Sequence, residues 1–191
     1  MTLPTDRAAR HEAVAARFQD VVENVTDWDV PTPVGEWTAR DLVRHLTQWA
    51  QGLITSGADV VWPDGPSVDE DPAGAFAHQT GVISAFLETP ETAATPFTHE
   101  HMGTMPLGDV IERFYIPDVF MHTWDLARAT GQDDTLDPET VEGMYQGMKS
   151  QEKMIRASGQ FGDEQPVRDD ASTQERFIAF IGRDPYWTPQ A

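Results

Sequence analysis

The chain has 191 residues, 39% of them apolar, a formal net charge of −19 and no cysteine. That length is enough for one domain with a sizeable core, and the charge argues against nucleic acid or an anionic membrane as a partner. Without cysteine there is no disulfide, no thiolate metal site and no protein thiol nucleophile. Any metal must be held by His, Asp or Glu, and any thiol chemistry must come from a ligand. No apolar run approaches the length of a membrane span. The polar start Met1-Thr-Leu-Pro-Thr-Asp-Arg7 does not read as a signal peptide, so the expected location is the cytoplasm.

Val14, Phe18, Val21, Val22 and Val25 recur at helical spacing and predict a first amphipathic helix over 5–26. Trp28, Pro31, Pro33 and Gly35 then make a loop. A second helix starts near Thr38, where Asp41 three residues on completes a capping box in its acidic form. Leu42, Val43, Leu46, Trp49, Leu53 and Ile54 form its apolar side, and Gly57 is its stop. The Pro- and Asp-rich stretch 62–72 is a loop. Pro72 opens a third helix to about Leu87, with Phe76, Ile83, Phe86 and Leu87 inward, and Pro90 ends it.

Residues 92–106 are less regular and fit a short extended piece or hairpin. The next helix runs from about Leu107 to Ala129. Pro117 inside it predicts a kink or a junction of two helices, and Gly131 is its stop. Asp137-Pro138 opens a helix to about Ala157, with Val141, Met144, Tyr145, Met148 and Ile155 apolar. A loop over 158–170 leads to a short last helix starting at Ser172, with Glu175 at the third place and Phe177, Ile178, Phe180 and Ile181 inward. The tail is laid against the body through Tyr186 and Trp187. The pattern is all-α: one domain over 1–191, a four-helix bundle with a crossover connection and an extra C-terminal helix and tail from about 171.

The chemistry centres on Asp118-Val-Phe-Met-His122. On a helix the carboxylate and the imidazole leave the same face, and that face is otherwise apolar, with Val119, Phe120, Trp124, Leu126 and Ala127 around it. An i,i+4 ion pair and a metal-binding pair are both open readings. His45, mid-helix between Val43 and Leu46, is either a core-edge histidine with one hydrogen bond or a third ligand from a facing helix. Two His and one carboxylate leave open coordination positions, which mark catalytic rather than structural sites. Zinc is the first expectation, with nickel, iron and manganese also compatible.

Asp125 reads first as a local cap or a partner of Arg128. The alternative is a hydrogen bond to a ligand imidazole. Asp41 belongs to its capping box. His99-Glu-His101 has the look of a metal triplet but sits in a loop with no third ligand, and reads as surface or as the rim of a pocket. His11 and His78 have no evident partner and read as surface. Arg113 and Arg128 suit surface ion pairs, or an anionic cosubstrate. Met102, Met105, Met121, Met144, Met148 and Met154 read as core fillers or pocket walls. No phosphate-cradling Gly loop, dinucleotide fingerprint or Ser-nucleophile elbow is present.

Three runs together resemble a known family: Trp37-Thr-Ala-Arg-Asp-Leu-Val-Arg-His45-Leu, Asp118-Val-Phe-Met-His122-Thr-Trp-Asp-Leu-Ala-Arg-Ala-Thr-Gly131, and Asp170 through Gly182-Arg-Asp-Pro185. They are similar to the actinobacterial DinB-like proteins related to mycothiol-dependent maleylpyruvate isomerase, over almost the whole chain. The resemblance implies a DinB-like four-helix bundle with a divalent metal in its core. Its ligands would be one His from the second helix and an acid-x-x-x-His pair from a later one, positions matched by His45, Asp118 and His122. The isomerase has Glu where this chain has Asp118, one methylene shorter. It also carries a separate C-terminal domain, where this chain has a short helix and tail, so isomerase activity itself is not carried over.

In thiol-using relatives the metal lowers the pKa of a small thiol so that it attacks an electrophile. The resemblance thus implies a thiol-dependent transferase or isomerase using mycothiol, with small-molecule partners and a homodimer allowed. The competing expectations are a non-catalytic metal- or small-ligand-binding protein on the same bundle, and a metal-free helical protein with an Asp118–His122 ion pair.

Overall fold

Side-chain caps set where the helices begin. In the computed structural model, which describes residues 2–189, Asp6 caps α1 (Arg7–Glu23) and Asp71 caps α3 (Pro72–Glu88). Between them α2 (Ala39–Gly57) starts at the expected capping box. Thr38 Oγ1 accepts from the Asp41 amide at 3.3 Å, and Asp41 Oδ2 accepts from the Thr38 amide at 3.0 Å. These bonds satisfy amides that have no partner within the helix. They hold the Asp41 carboxyl below its ordinary range, with Arg44 adding to the effect.

Pro90 does not simply end the third helix. It opens α4 (Pro90–Ala93), a single turn. The irregular stretch that follows is a hairpin of β1 (Pro96–His99) and β2 (Gly103–Pro106), antiparallel with Phe97 opposite Met105. The helical run then resumes as α5 (Leu107–Val110), a π-helical turn over Ile111–Tyr115, and α6 (Ile116–Ala129). The widened turn explains how Pro117 is accommodated. A proline cannot donate to the carbonyl four residues back and clashes with it, and the preceding turn has already shifted to i→i−5 bonding, with the Ile116 amide on Ile111 O. Gly131, at φ +68°, closes α6 in a Schellman motif, the Gln132 amide reaching Ala127 O at 2.9 Å.

The expected 137–157 helix is interrupted at Gln151, giving α7 (Pro138–Ser150) and α8 (Glu152–Ala157). Ser172 and Glu175 form a second capping box at the start of α9 (Thr173–Phe180).

The four long helices form the bundle. α1 packs on α3 and α6, and α2 packs on the same two helices, so α1 and α2 lie across the core from each other. The connections α1–α2 and α3–α6 therefore cross the bundle, as the expected crossover topology requires. Phe18, Leu46, Phe76 and Leu126 fill the centre, the Phe18 and Phe76 rings 4.5 Å apart. α9 covers α7 with Phe177, Ile178 and Phe180 inward. No helix among the described residues is long and apolar enough to cross a membrane.

Two side-chain placements are corrected as well. Met154 is largely exposed on α8 and fills no core. His11 is not at the surface: it is 1% exposed, with Nδ1 3.2 Å from Ser84 Oγ and Nε2 without a partner. Its neighbours on α1 are core positions, and the Tyr115 ring lies 6.0 Å away. Burial lowers its pKa from the ordinary 6.5 to about 4.

Between those two values the unfolded chain binds a proton that the folded one excludes. The stability contributed by neutral His11 is thus present above pH 6.5, falls as the pH drops toward 4, and is lost below that. The loss amounts to about 3 kcal/mol. Urea unfolding across this window should show a steeper fall for the wild type than for His11→Gln.

Candidate metal centre

The packing of α2 against α6 brings His45 to Asp118 and His122. His45 Nε2 stands 3.1 Å from Asp118 Oδ2, and His122 Nε2 stands 3.5 Å from Asp118 Oδ1. Three donor atoms, one from each residue, lie within 4.8 Å of one another, the one such group among the described residues. The site is graded in exposure: His122 is buried, while Asp118 and His45 keep 19% and 26% of their side chains open. One side of the group thus faces outward.

Aromatic rings hold the outer histidine. The Trp37 ring, from the loop before α2, lies 4.9 Å from the His45 ring and 6.0 Å from that of His122. Trp49, one turn along α2, stacks on His45 at 5.8 Å. His45 is thereby confined between two indoles with Nε2 directed at Asp118. Tyr115, at the end of the π-helical turn, is fully buried close to Asp118. Burial pushes its phenol well above the ordinary range, and the Asp118 charge adds to the effect.

Asp125 does not pair with Arg128. Its carboxylate accepts from His122 Nδ1 at 2.8 Å and from Arg183 Nε and Nη2 at 3.3 and 3.2 Å. Of the two readings open in the sequence, the bond to an imidazole holds. Asp125 is 1% exposed. Burial alone would raise its carboxyl, but Arg183 and the His122 bond outweigh it and hold the group below the ordinary range. An ionised carboxylate can only accept, so His122 donates from Nδ1, and its Nε2 is directed at Asp118.

The other candidates stay outside. Arg128 binds Pro185 O at 2.5 Å and Asp134 at 3.0 Å, tying down the tail. Arg113 is exposed. His99 and His101 sit at the hairpin tip, His101 with Glu100 at 3.1 Å, and no third ligand joins them. His78 is half-buried and meets Pro63 O at 3.1 Å, pinning the 62–71 loop. Trp37 and Arg183 are the residues in contact with the group or with Asp125 that periodicity misses. Both lie in the runs that carry the family resemblance.

The mycothiol maleylpyruvate isomerase N-terminal domain family matches residues 11–127. The chain belongs to this family. Its all-α, DinB-like architecture is the bundle described above. Two relatives, "Uncharacterized protein MT0763" and "Uncharacterized protein Rv0738" from the CDC 1551 and H37Rv strains of Mycobacterium tuberculosis, are each 31% identical over 193 residues, covering 93% of this chain and 98% of theirs. No solved structure matches the chain significantly. The family match includes His45, Asp118, His122 and Asp125 and stops before Arg183.

Removing one member of a buried ion pair leaves the other uncompensated. Asp125→Ala should lower unfolding free energy by about 3 kcal/mol in urea denaturation, well beyond the cost of an average surface substitution.

Proposed function

We propose that this protein is a metal-dependent, thiol-using enzyme in which His45, Asp118 and His122 hold a divalent ion, zinc first, with nickel, iron or manganese as alternatives. The observation that carries this reading is the meeting of two imidazoles and a carboxylate from two facing helices. His122 Nδ1 is committed to Asp125, so its Nε2 faces Asp118 Oδ1 at 3.5 Å, while His45 Nε2 stands 3.1 Å from the other carboxylate oxygen. A divalent cation among these atoms would take one donor from each residue. Ligands about 2.1 Å from a tetrahedral zinc stand about 3.4 Å apart, and one donor atom from each of the three residues lies within 4.8 Å of the others here.

A divalent ion at this position supplies positive charge that lowers the pKa of a bound small thiol. The chain's own residues do the rest. Asp118 and the two imidazoles provide three donors and leave the outward side free for a ligand. Trp37 and Trp49 keep His45 from rotating out of the group. Their ring faces wall the approach with apolar surface and exclude water beside it.

With no cysteine in the chain, any thiol nucleophile is external. Family membership supports mycothiol as that thiol, with transfer to a small electrophile or isomerisation as the reaction, in the cytoplasm. Asp118 in place of the isomerase's Glu favours a related reaction over maleylpyruvate isomerisation itself.

Purified protein should carry about one equivalent of divalent metal by elemental analysis after zinc loading, and His122→Ala should lose it. Unchanged metal in the variant would overturn the ligand assignment. Calorimetric titration of mycothiol into zinc-loaded protein should give saturable heat. A flat titration at millimolar thiol would instead favour a metal-binding protein without thiol chemistry.

A further inference from the structure

The metal centre is finished by a residue far along the chain. Arg183 stands just after α9, 58 residues beyond Asp125, yet its guanidinium meets both Asp125 oxygens, at 3.3 and 3.2 Å. It is itself 13% exposed, and its third nitrogen donates to Ile181 O at 3.1 Å, which fixes the plane of the group. The guanidinium is thus both paired and oriented, in the two-point geometry that makes arginine–carboxylate contacts directional.

The backbone is built to deliver Arg183 to that position. α9 ends in a Schellman motif, with the Gly182 amide on Ala179 O at 3.0 Å and the Arg183 amide on Ile178 O at 3.1 Å. Gly182 takes φ +90°. A Cβ there would stand 2.7 Å from Gly162 Cα, so the two backbones meet at a distance only glycine allows. Arg156 locks this crossing, donating to Gly162 O at 2.5 Å and to Phe180 O at 2.7 Å while its guanidinium lies 4.6 Å over the Phe180 ring. Three elements therefore converge on the direction in which Arg183 leaves the chain.

We infer that Arg183 is a positioning residue for the metal centre, acting through Asp125 on the orientation of His122, so that the docked C-terminal segment is a working part of the site. The inference rests on the metal reading above. Asp125 alone can aim His122 only if its own carboxylate is held, and Arg183 is the group that holds it. With Arg183 removed, the buried carboxylate turns to find other donors, and the imidazole loses the fixed partner that directs Nε2 at Asp118. Partners of metal-ligating histidines typically contribute about 10- to 100-fold in metal affinity.

The test measures zinc affinity by chelator competition in the full-length protein, with circular dichroism confirming the fold of each variant. Arg183→Met should bind zinc about 10- to 100-fold more weakly, and Arg183→Lys should recover part of the loss. In an Asp125→Asn background, Arg183→Met should add little further loss, because its route to the metal is already cut. Nitrogen-15 NMR of the metal-free protein gives an independent readout: the His122 Nδ1–H hydrogen bond to Asp125 gives one fixed Nδ1 environment in the wild type, which is lost or averaged in Arg183→Met.

Wild-type affinity in Arg183→Met, or an equal loss in both Asp125 backgrounds, would overturn the positioning role and leave Arg183 a fold residue. Should Arg183→Met not fold, Arg183→Gln carries the same comparison with the same expected loss. A wild type that binds no zinc would overturn the metal reading instead. The His122 ring resonances would then still decide on Arg183: an unchanged Nδ1 hydrogen-bonded environment in the variant would contradict it.

Discussion

The buried carboxylate of Asp125 is the interaction on which the site depends. It is almost without solvent contact, and it stays ionised because an imidazole N–H and a guanidinium converge on it. An unpaired charge at that depth would be prohibitively costly. Each partner is therefore constrained as strictly as the carboxylate. His122 must offer Nδ1–H inward, which sends Nε2 outward to Asp118. Arg183 must reach in from the chain's far end, which docks α9 and the tail onto α6.

The bundle topology supplies the other half. α1 and α2 lie opposite each other, so α2 has α6 as a direct neighbour. His45 on α2 can then meet the Asp118–His122 pair without any loop between them, and sites on rigid helices hold geometry better than sites on loops. The π-helical turn over Ile111–Tyr115 lies immediately before this pair. Such turns recur at functional sites. Here it stands directly before Pro117 and leads into the first turn of α6, which carries Asp118. The inner side of the group is closed by Asp125 and the core, whereas the outer side is bordered by Trp37 and Trp49, a gradient that suits a site with one face reserved for a ligand.

Much of this was legible in the residues themselves. Caps at Thr38, Asp137 and Ser172, and the stop at Gly131, act through local hydrogen bonds and read directly from short motifs. The 118/122 spacing placed two donors on one face, and His45 completed the group once α2 and α6 were paired. What stayed hidden depends on distant contacts. His11 looks like a surface residue because no sequence neighbour is its partner; Ser84, which meets it, lies on α3. Asp125 pointed first to Arg128, one turn away, but the tail crosses α6 and offers Arg183 on the buried side, while Arg128 turns to Asp134 and Pro185 O. Arg183 carries no local signal for this role, since its reach to Asp125 depends on the Gly162–Gly182 crossing. The π-helical turn was readable only as an expected disturbance at Pro117.

The central claim is that two imidazoles and one carboxylate hold a metal with a face open to an external thiol. X-ray absorption of the zinc-loaded protein, with and without mycothiol, tests it most directly, because a chain without cysteine has no thiolate of its own to place on the metal. The account predicts a nitrogen/oxygen shell at about 2.0–2.1 Å with two imidazoles, and a sulfur neighbour at about 2.3 Å that enters only when the thiol is added. A shell that lacks imidazole, or one that gains no sulfur with saturating thiol, would contradict it.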